Sequence, residues 1–137
     1  MVKHKLVNKN DKLNVLSNLE ISMKRDWDVI RAILIATEED RFDEYLEKTE
    51  DDTLVLGNTS LLIEAGFITG KVLQSLDGVD DVFVDDLTWQ GHELLDVIRS
   101  KPVWEKIKTT ALEKGLELTF DVIKALGSKA ISFVLGE

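Results

Sequence analysis

His92 and Glu93 are adjacent, and Asp96 follows one helical turn later, so the trio has the residue types of an acid/base pair or the beginnings of a metal site. A metal needs three or more converging ligands, and no His-Glu-x-x-His pattern exists because the other histidine is His4. A structural role follows instead: Thr88-Trp89-Gln90-Gly91 turns a strand into a helix, where His92 bonds a backbone carbonyl. Asp77, Asp80, Asp81, Asp85 and Asp86 crowd around Gly78. They lack the alternating acids and closing glutamate of a calcium loop, so they read as a solvated hairpin or as an acidic interaction surface. The chain has no cysteine, which excludes disulfides, thiolate zinc sites, iron–sulfur clusters and thiol nucleophiles. It also lacks a Gly-rich phosphate loop, a Gly-x-Ser-x-Gly elbow and a justified carboxylate pair, so no enzyme, cofactor or metal is expected.

Two features bear on nucleic acid. Trp27, Trp89 and Trp104 could stack on bases, but each is flanked by aliphatic residues and is expected in the core. Asn58, Thr59 and Ser60 can bond bases, and Lys71 stands close by in sequence, yet no Arg or Lys accompanies the three to hold phosphates.

The distribution of charge sharpens this objection. The 137 residues carry a net charge of −9. Residues 1–25 hold six basic and two acidic groups, residues 26–100 five basic and nineteen acidic, and residues 101–137 six basic and five acidic. The middle of the chain therefore repels phosphate backbones. Asp43, Glu44 and Glu47 add to the hairpin aspartates in that acidic stretch. Only Lys3, Lys5, Lys9 and Lys12, or Lys24, Arg25, Lys106 and Lys108, could supply the phosphate contacts of a DNA binder, and they lie off the expected docking face.

The elements that must position these residues follow from periodicity and stop signals. Lys12 to Leu19 fits a short helix. A helix over Arg25 to Glu38 is expected from Trp27, Ile30, Ile33 or Leu34 and Thr37, with Ser22 as its cap. Phe42 to Lys48 reads as a short helix or as a loop with a brief strand. Leu61, Leu62 and Ala65 form a short helix stopped by Gly66, and Phe67–Leu73 and Val82–Val84 form a hairpin turned at Asp77-Gly78. Gly91–Arg99, a helix from Pro102 to Lys114 closed by Gly115, and a Thr119-capped helix over Phe120 to Val134 complete the chain. The longest apolar run, Ala32–Ala36, is far short of a membrane span, and no leader opens the chain, so a cytoplasmic location is expected.

Helices, a two-stranded ribbon and then more helices make a mostly α, α+β fold with a winged-helix-like core and a helical C-terminal extension. The expected divisions are a basic N-terminal extension (1–22), the core (23–100) and the extension packed on it (101–137), one domain overall.

Three sequence blocks point the same way. Met23-Lys24-Arg25-Asp26-Trp27-Asp28-Val29-Ile30-Arg31-Ala32-Ile33-Leu34 resembles the opening of a family of small bacterial and prophage proteins, the domain of unknown function 2513. Leu61-Leu62-Ile63-Glu64-Ala65-Gly66-Phe67-Ile68 is similar to the family's second block. Leu87-Thr88-Trp89-Gln90-Gly91-His92-Glu93-Leu94-Leu95-Asp96-Val97-Ile98-Arg99, followed by Val103-Trp104, is similar to its third. The resemblance covers about residues 23–126 and implies a winged-helix-like fold without an assigned reaction, cofactor or target. Family chains would begin at Met23, and Leu56-Gly57-Asn58-Thr59 departs from the family's pattern.

The function expected from these features is that of a non-enzymatic interaction module of bacterial or phage origin. Its acidic face, roughly Glu38 to Asp52 plus the wing at Asp77 to Asp86 (Asp43, Glu44, Glu47, Asp77, Asp80, Asp81, Asp85 and Asp86), would engage a basic partner protein, and one form of this is inhibition of a host nucleic-acid-binding system by phosphate mimicry. The alternative is a dimeric winged-helix transcription regulator reading DNA through Asn58, Thr59, Ser60 and Lys71. Phe120, Ile123, Ile131, Phe133 and Val134 make a wide apolar face on the last helix, for a homodimer or for packing on the Trp27 helix.

Overall fold

The computed structural model describes residues 25–136, which divide into two compact units at Leu87/Thr88. The basic segment 1–22, with Ser22 and the helix expected over Lys12–Leu19, lies outside the described residues. Among the described residues the fold is α+β: six helices and one two-stranded antiparallel hairpin.

In the first unit, helix α1 spans Trp27–Glu38 and is capped by Asp26, whose carboxylate accepts the Val29 N–H at 3.2 Å. Asp26 is extended (φ −115°, ψ 104°), so the helix begins at Trp27, two residues later than expected. Ile30, Ile33, Leu34 and Thr37 are buried at helical spacing, and the Thr37 hydroxyl donates to the Ile33 carbonyl at 2.8 Å. Helix α1 stops at a reversal in which Asp40 takes a left-handed conformation (φ 59°). There Asp40 N–H donates to the Thr37 carbonyl and Arg41 N–H to the Ala36 carbonyl, a Schellman motif built on an aspartate where glycine is usual.

Helix α2 covers Phe42–Lys48, resolving the expected helix-or-loop alternative in favour of the helix. Helix α3 spans Asp52–Glu64 and starts nine residues before Leu61. Asp51 caps it through the Leu54 N–H at 3.0 Å, and the β-branched and glycine residues that obscured its start are overridden by packing. This helix packs against α1 and against both strands, so it is buried on several sides and has no clear amphipathic period. It ends at Gly66 (φ 87°) in a second Schellman motif, as the glycine signalled.

Strands β1 (Ile68–Ser75) and β2 (Gly78–Leu87) pair antiparallel across the two-residue connection Leu76–Asp77. The register slips once at each end of the ladder, leaving Asp85 and Asp80 as the extra residues of two bulges. At Gly70 the two backbones approach so closely that a Cβ would collide with the Phe83 carbonyl oxygen.

The second unit is three helices packed pairwise: α4 (Trp89–Ile98), α5 (Lys101–Glu113) and α6 (Phe120–Leu135). Thr88, Ser100 and Thr119 cap them, accepting the N–H groups of Gly91, Val103 and Val122 at 3.1, 3.4 and 3.1 Å. Pro102 lies in the first turn of α5, and Gly115 (φ 67°) ends that helix. Leu94, Leu95, Ile98, Trp104, Ile107 and Ile123 are fully buried here. The expected boundary at residue 100 falls between two helices of this unit.

Candidate functional site

The sharp reversal after α1 sets Asp40 and Arg41 at the mouth of α2, whose first turn carries Asp43 and Glu44. Strand β2 runs beside this turn, and the result is a surface cleft of about 160 Å³ lined by Thr37, Asp40, Arg41, Phe42, Asp43, Glu44, Val84 and Asp85. Carboxylates more than forty residues apart in sequence thus share one depression. Its lone cation, Arg41, lies 3.5 Å from Glu44 and 4.0 Å from Glu39, and Lys48 adds a 3.4 Å contact to Glu44. These pairs are exposed and contribute little to stability. Their consequence is local: Arg41 and Lys48 face Glu44, and Asp40, Asp43 and Asp85 carry the rest of the cleft's negative charge.

A neighbouring cleft of about 340 Å³ lies between α1 and α2, with Ala32, Ile35, Ala36 and Tyr45 among its lining and Arg31, Glu39, Arg41, Glu44 and Lys48 around it. Burial, and then the Asp26 carboxylate, hold the Tyr45 phenol above its ordinary pKa.

The remaining expected acids separate from this cleft. Glu47 is exposed on α2. At the hairpin tip the Ser75 hydroxyl donates to the Asp80 carboxylate at 3.1 Å, Asp77 N–H donates to Ser75 Oγ, and the Asp81 carboxylate accepts the Val82 N–H at 2.8 Å. Asp86 is exposed, its backbone bonded to Thr69 Oγ1. Residues 25–87 carry seventeen acidic and five basic side chains, net −12.

The base-reading trio is corrected. Asn58 and Thr59 are wholly buried and Ser60 nearly so. Asn58 Oδ1 accepts the Asp26 N–H at 2.9 Å and its Nδ2 donates to the Leu54 carbonyl at 3.0 Å, while the Thr59 hydroxyl donates to the Val55 carbonyl at 2.7 Å. The Asn58 contact joins α3 to the cap of α1, Thr59 is bonded back within α3, and burial withholds all three residues from a base. Lys71 is exposed, opposite Phe83 in the ladder.

The tryptophans divide. Trp104 is buried as expected and Trp27 is half-buried with the Arg25 guanidinium 5.4 Å from its ring centre. Trp89 is 79% exposed, a correction to the expected core position. It lies nine residues before the buried Ile98, which is half a turn out of phase, so it points away from the face that Leu94 and Leu95 bury. His92, Glu93 and Asp96 are also exposed on α4. Among the described residues no group of three or more His, Asp or Glu side chains is gathered in a way that could hold a metal. No helix there is long and apolar enough to cross a membrane.

On α6, Ile123 is spent on the core, while Ile131, Phe133, Val134 and Leu135 remain 40–66% exposed. Lys106 Nζ covers the Phe133 ring at 4.0 Å from its centre.

Sequence reasoning placed Asp40 inside the acidic stretch Glu38 to Asp52 but did not single it out as a site residue. The signal was present: Glu38-Glu39-Asp40-Arg41 breaks the helical pattern without a glycine, and aspartate is among the few residues that tolerate the left-handed reversal.

A family model described as "Hypothetical protein (DUF2513)" matches residues 24–117, a span that contains nearly all of the three blocks noted in the sequence. A protein of Haemophilus influenzae (strain ATCC 51907 / DSM 11121 / KW20 / Rd), described as an uncharacterized protein, is 38% identical over 123 residues, covering 82% of this chain and 99% of its own. No solved structure matches. Because the family model spans most of the chain and the relative is matched over nearly its full length, the chain belongs to the DUF2513 family.

Proposed function

We propose that this protein is a non-enzymatic interaction module whose first unit presents an acidic face to a basic partner protein. The observation that carries this reading is the cleft in which Asp40 and Asp43 meet Asp85. A depression lined by carboxylates on low-dielectric walls focuses negative potential and favours a Lys- or Arg-rich ligand. The net charge of −12 on residues 25–87 supports the same partner chemistry at longer range. The spacing of acids around a protruding hairpin also suits phosphate mimicry, by which the module would occupy the nucleic-acid site of its partner.

In this reading the first unit is a winged-helix-like arrangement, with α2 and α3 as the helix pair and the hairpin as the wing. DNA is disfavoured for it on two grounds. The helix that would enter the groove opens with Asp51 and Asp52, and its middle polar residues are buried. The wing offers Lys71 against five aspartates.

The test is capture from host lysate with and without nuclease, comparing the wild type with an Asp40→Asn/Asp43→Asn/Asp85→Asn variant. A protein retained after digestion by the wild type and lost by the variant supports the proposal. Recovery of nucleic acid, with everything lost on digestion, overturns it.

A further inference from the structure

The second unit contains an exposed surface that its own packing does not explain. Along α4 the fold uses Thr88 as cap, buries Gly91 and spends Leu94, Leu95 and Ile98 on the core. Trp89, His92, Glu93 and Asp96 recur at helical spacing on the opposite side and are all exposed. A tryptophan left 79% in water exposes more apolar area than almost any other single side chain can, and nothing in helix propensity or capping calls for it at the first position of a helix. Glu93 sits one turn along from Trp89, about 6 Å by helical rise, and Asp96 about 10 Å along. A cation laid on the indole face, the best of the aromatic faces for that purpose, has a carboxylate within reach of its charged head.

We infer that the exposed stripe Trp89–Glu93–Asp96 of α4 is a docking surface for a Lys/Arg-rich segment of a protein partner, one basic side chain stacking on the indole while its charge pairs with Glu93. Asp96 receives a second basic residue further along the segment. The charge complementarity is specific: two carboxylates lie one and two turns along the helix from the ring, so a phosphate-bearing strand that stacked a base on Trp89 and followed α4 would be repelled. The surface lies in the second unit and stands on observations separate from the acidic cleft; from the proposed function it takes only the basic character of the partner.

The test uses the full chain and an octa-arginine peptide as probe, with an oligothymidylate of eight nucleotides as the counter-probe, at low salt. Binding is read both as a dissociation constant and as a change in tryptophan emission. The peptide is expected to bind the wild type and change its emission. Trp89→Phe is expected to remove that change, and Trp89→Ala and Glu93→Gln each to weaken binding roughly five- to tenfold. Trp89 and Glu93 are exposed, so these variants fold, which far-UV circular dichroism checks.

If Asp40→Asn/Asp43→Asn/Asp85→Asn weakens binding while Trp89→Ala leaves both readings at wild-type values, the cleft proposal stands and this inference falls. If Trp89→Ala weakens binding and the cleft variant does not, the inference stands without the cleft. Absence of peptide binding, or an emission change with the oligothymidylate that Trp89→Phe abolishes, overturns the inference outright.

Discussion

Asn58→Ala separates a structural asparagine from a recognition residue, and its cost can be worked out from the contacts. The side chain is wholly buried and makes two hydrogen bonds, accepting from Asp26 N–H and donating to the Leu54 carbonyl. The Leu54 carbonyl also lies in reach of its ordinary helical partner, so its loss is slight. Asp26 N–H has no such substitute and loses its acceptor, a penalty of about 1–2 kcal/mol after allowance for its partial exposure. Removing the amide group leaves a void, adding about 1 kcal/mol. Alanine's better helix propensity returns about 0.5 kcal/mol. The expected destabilisation is about 1.5–2.5 kcal/mol, which in urea lowers the unfolding midpoint by roughly 1–2 M with an unchanged slope. Asn58→Asp keeps the acceptor but sets a buried carboxylate against the Leu54 carbonyl, and is expected to cost at least as much. A midpoint within about 0.3 M of wild type, combined with a loss of nucleic-acid affinity, would refute the structural role and restore Asn58 as a base reader.

Three further outcomes are expected. Asp40→Gly relieves the left-handed strain at φ 59° and is expected to stabilise the protein by up to about 1 kcal/mol in the same urea titration, while weakening capture of a basic partner because a cleft carboxylate is gone. The raised pKa of Tyr45 means that its neutral form is favoured on folding; that stability is fully present below the unfolded phenol's pKa near 10 and is lost as pH rises through the higher folded value. Thermal melts from pH 9 to 11 should therefore fall less steeply for Tyr45→Phe than for the wild type, and parallel curves would contradict the assignment. We also propose self-association through the end of α6, where Ile131, Phe133, Val134 and Leu135 are exposed; light scattering should show a dimer that Phe133→Ser/Leu135→Ser converts to monomer, and a monomeric wild type would dismiss it.

Local signals carried much of the fold. Thr119 is a hydroxyl cap, Pro102 opens a helix, and Gly66 and Gly115 sit where a chain must turn left-handed; each acts on neighbours within a few residues, so each could be read directly, whereas Thr88 proves to be a cap that starts its helix two residues before the expected Gly91. The hairpin was legible for the same reason, although its bulges were not, because they depend on the partner strand. Helix α1 was clear in its apolar stripe but not in its start, where Asp26 adopts an extended conformation and takes the capping role. Trp89 was misassigned because aliphatic neighbours in sequence need not share a helix face, and its half-turn offset from Ile98 decides its exposure.

By itself, then, the sequence determined the α+β class, the acidic character of the middle of the chain and, by the absence of cysteine, the exclusion of thiolate chemistry, since composition and local propensity are properties of the chain alone. Tertiary structure decided what those residues are available to do. Helix α3 lies against α1 and both strands, so three polar residues that look like a recognition surface are buried, Asn58 joining α3 to the cap of α1 and Thr59 bonded back within its own helix. Asp40 and Asp43 share a cleft with Asp85 only because α1 packs against β2 and the reversal after α1 brings the first turn of α2 alongside, a proximity between distant positions that no local pattern encodes.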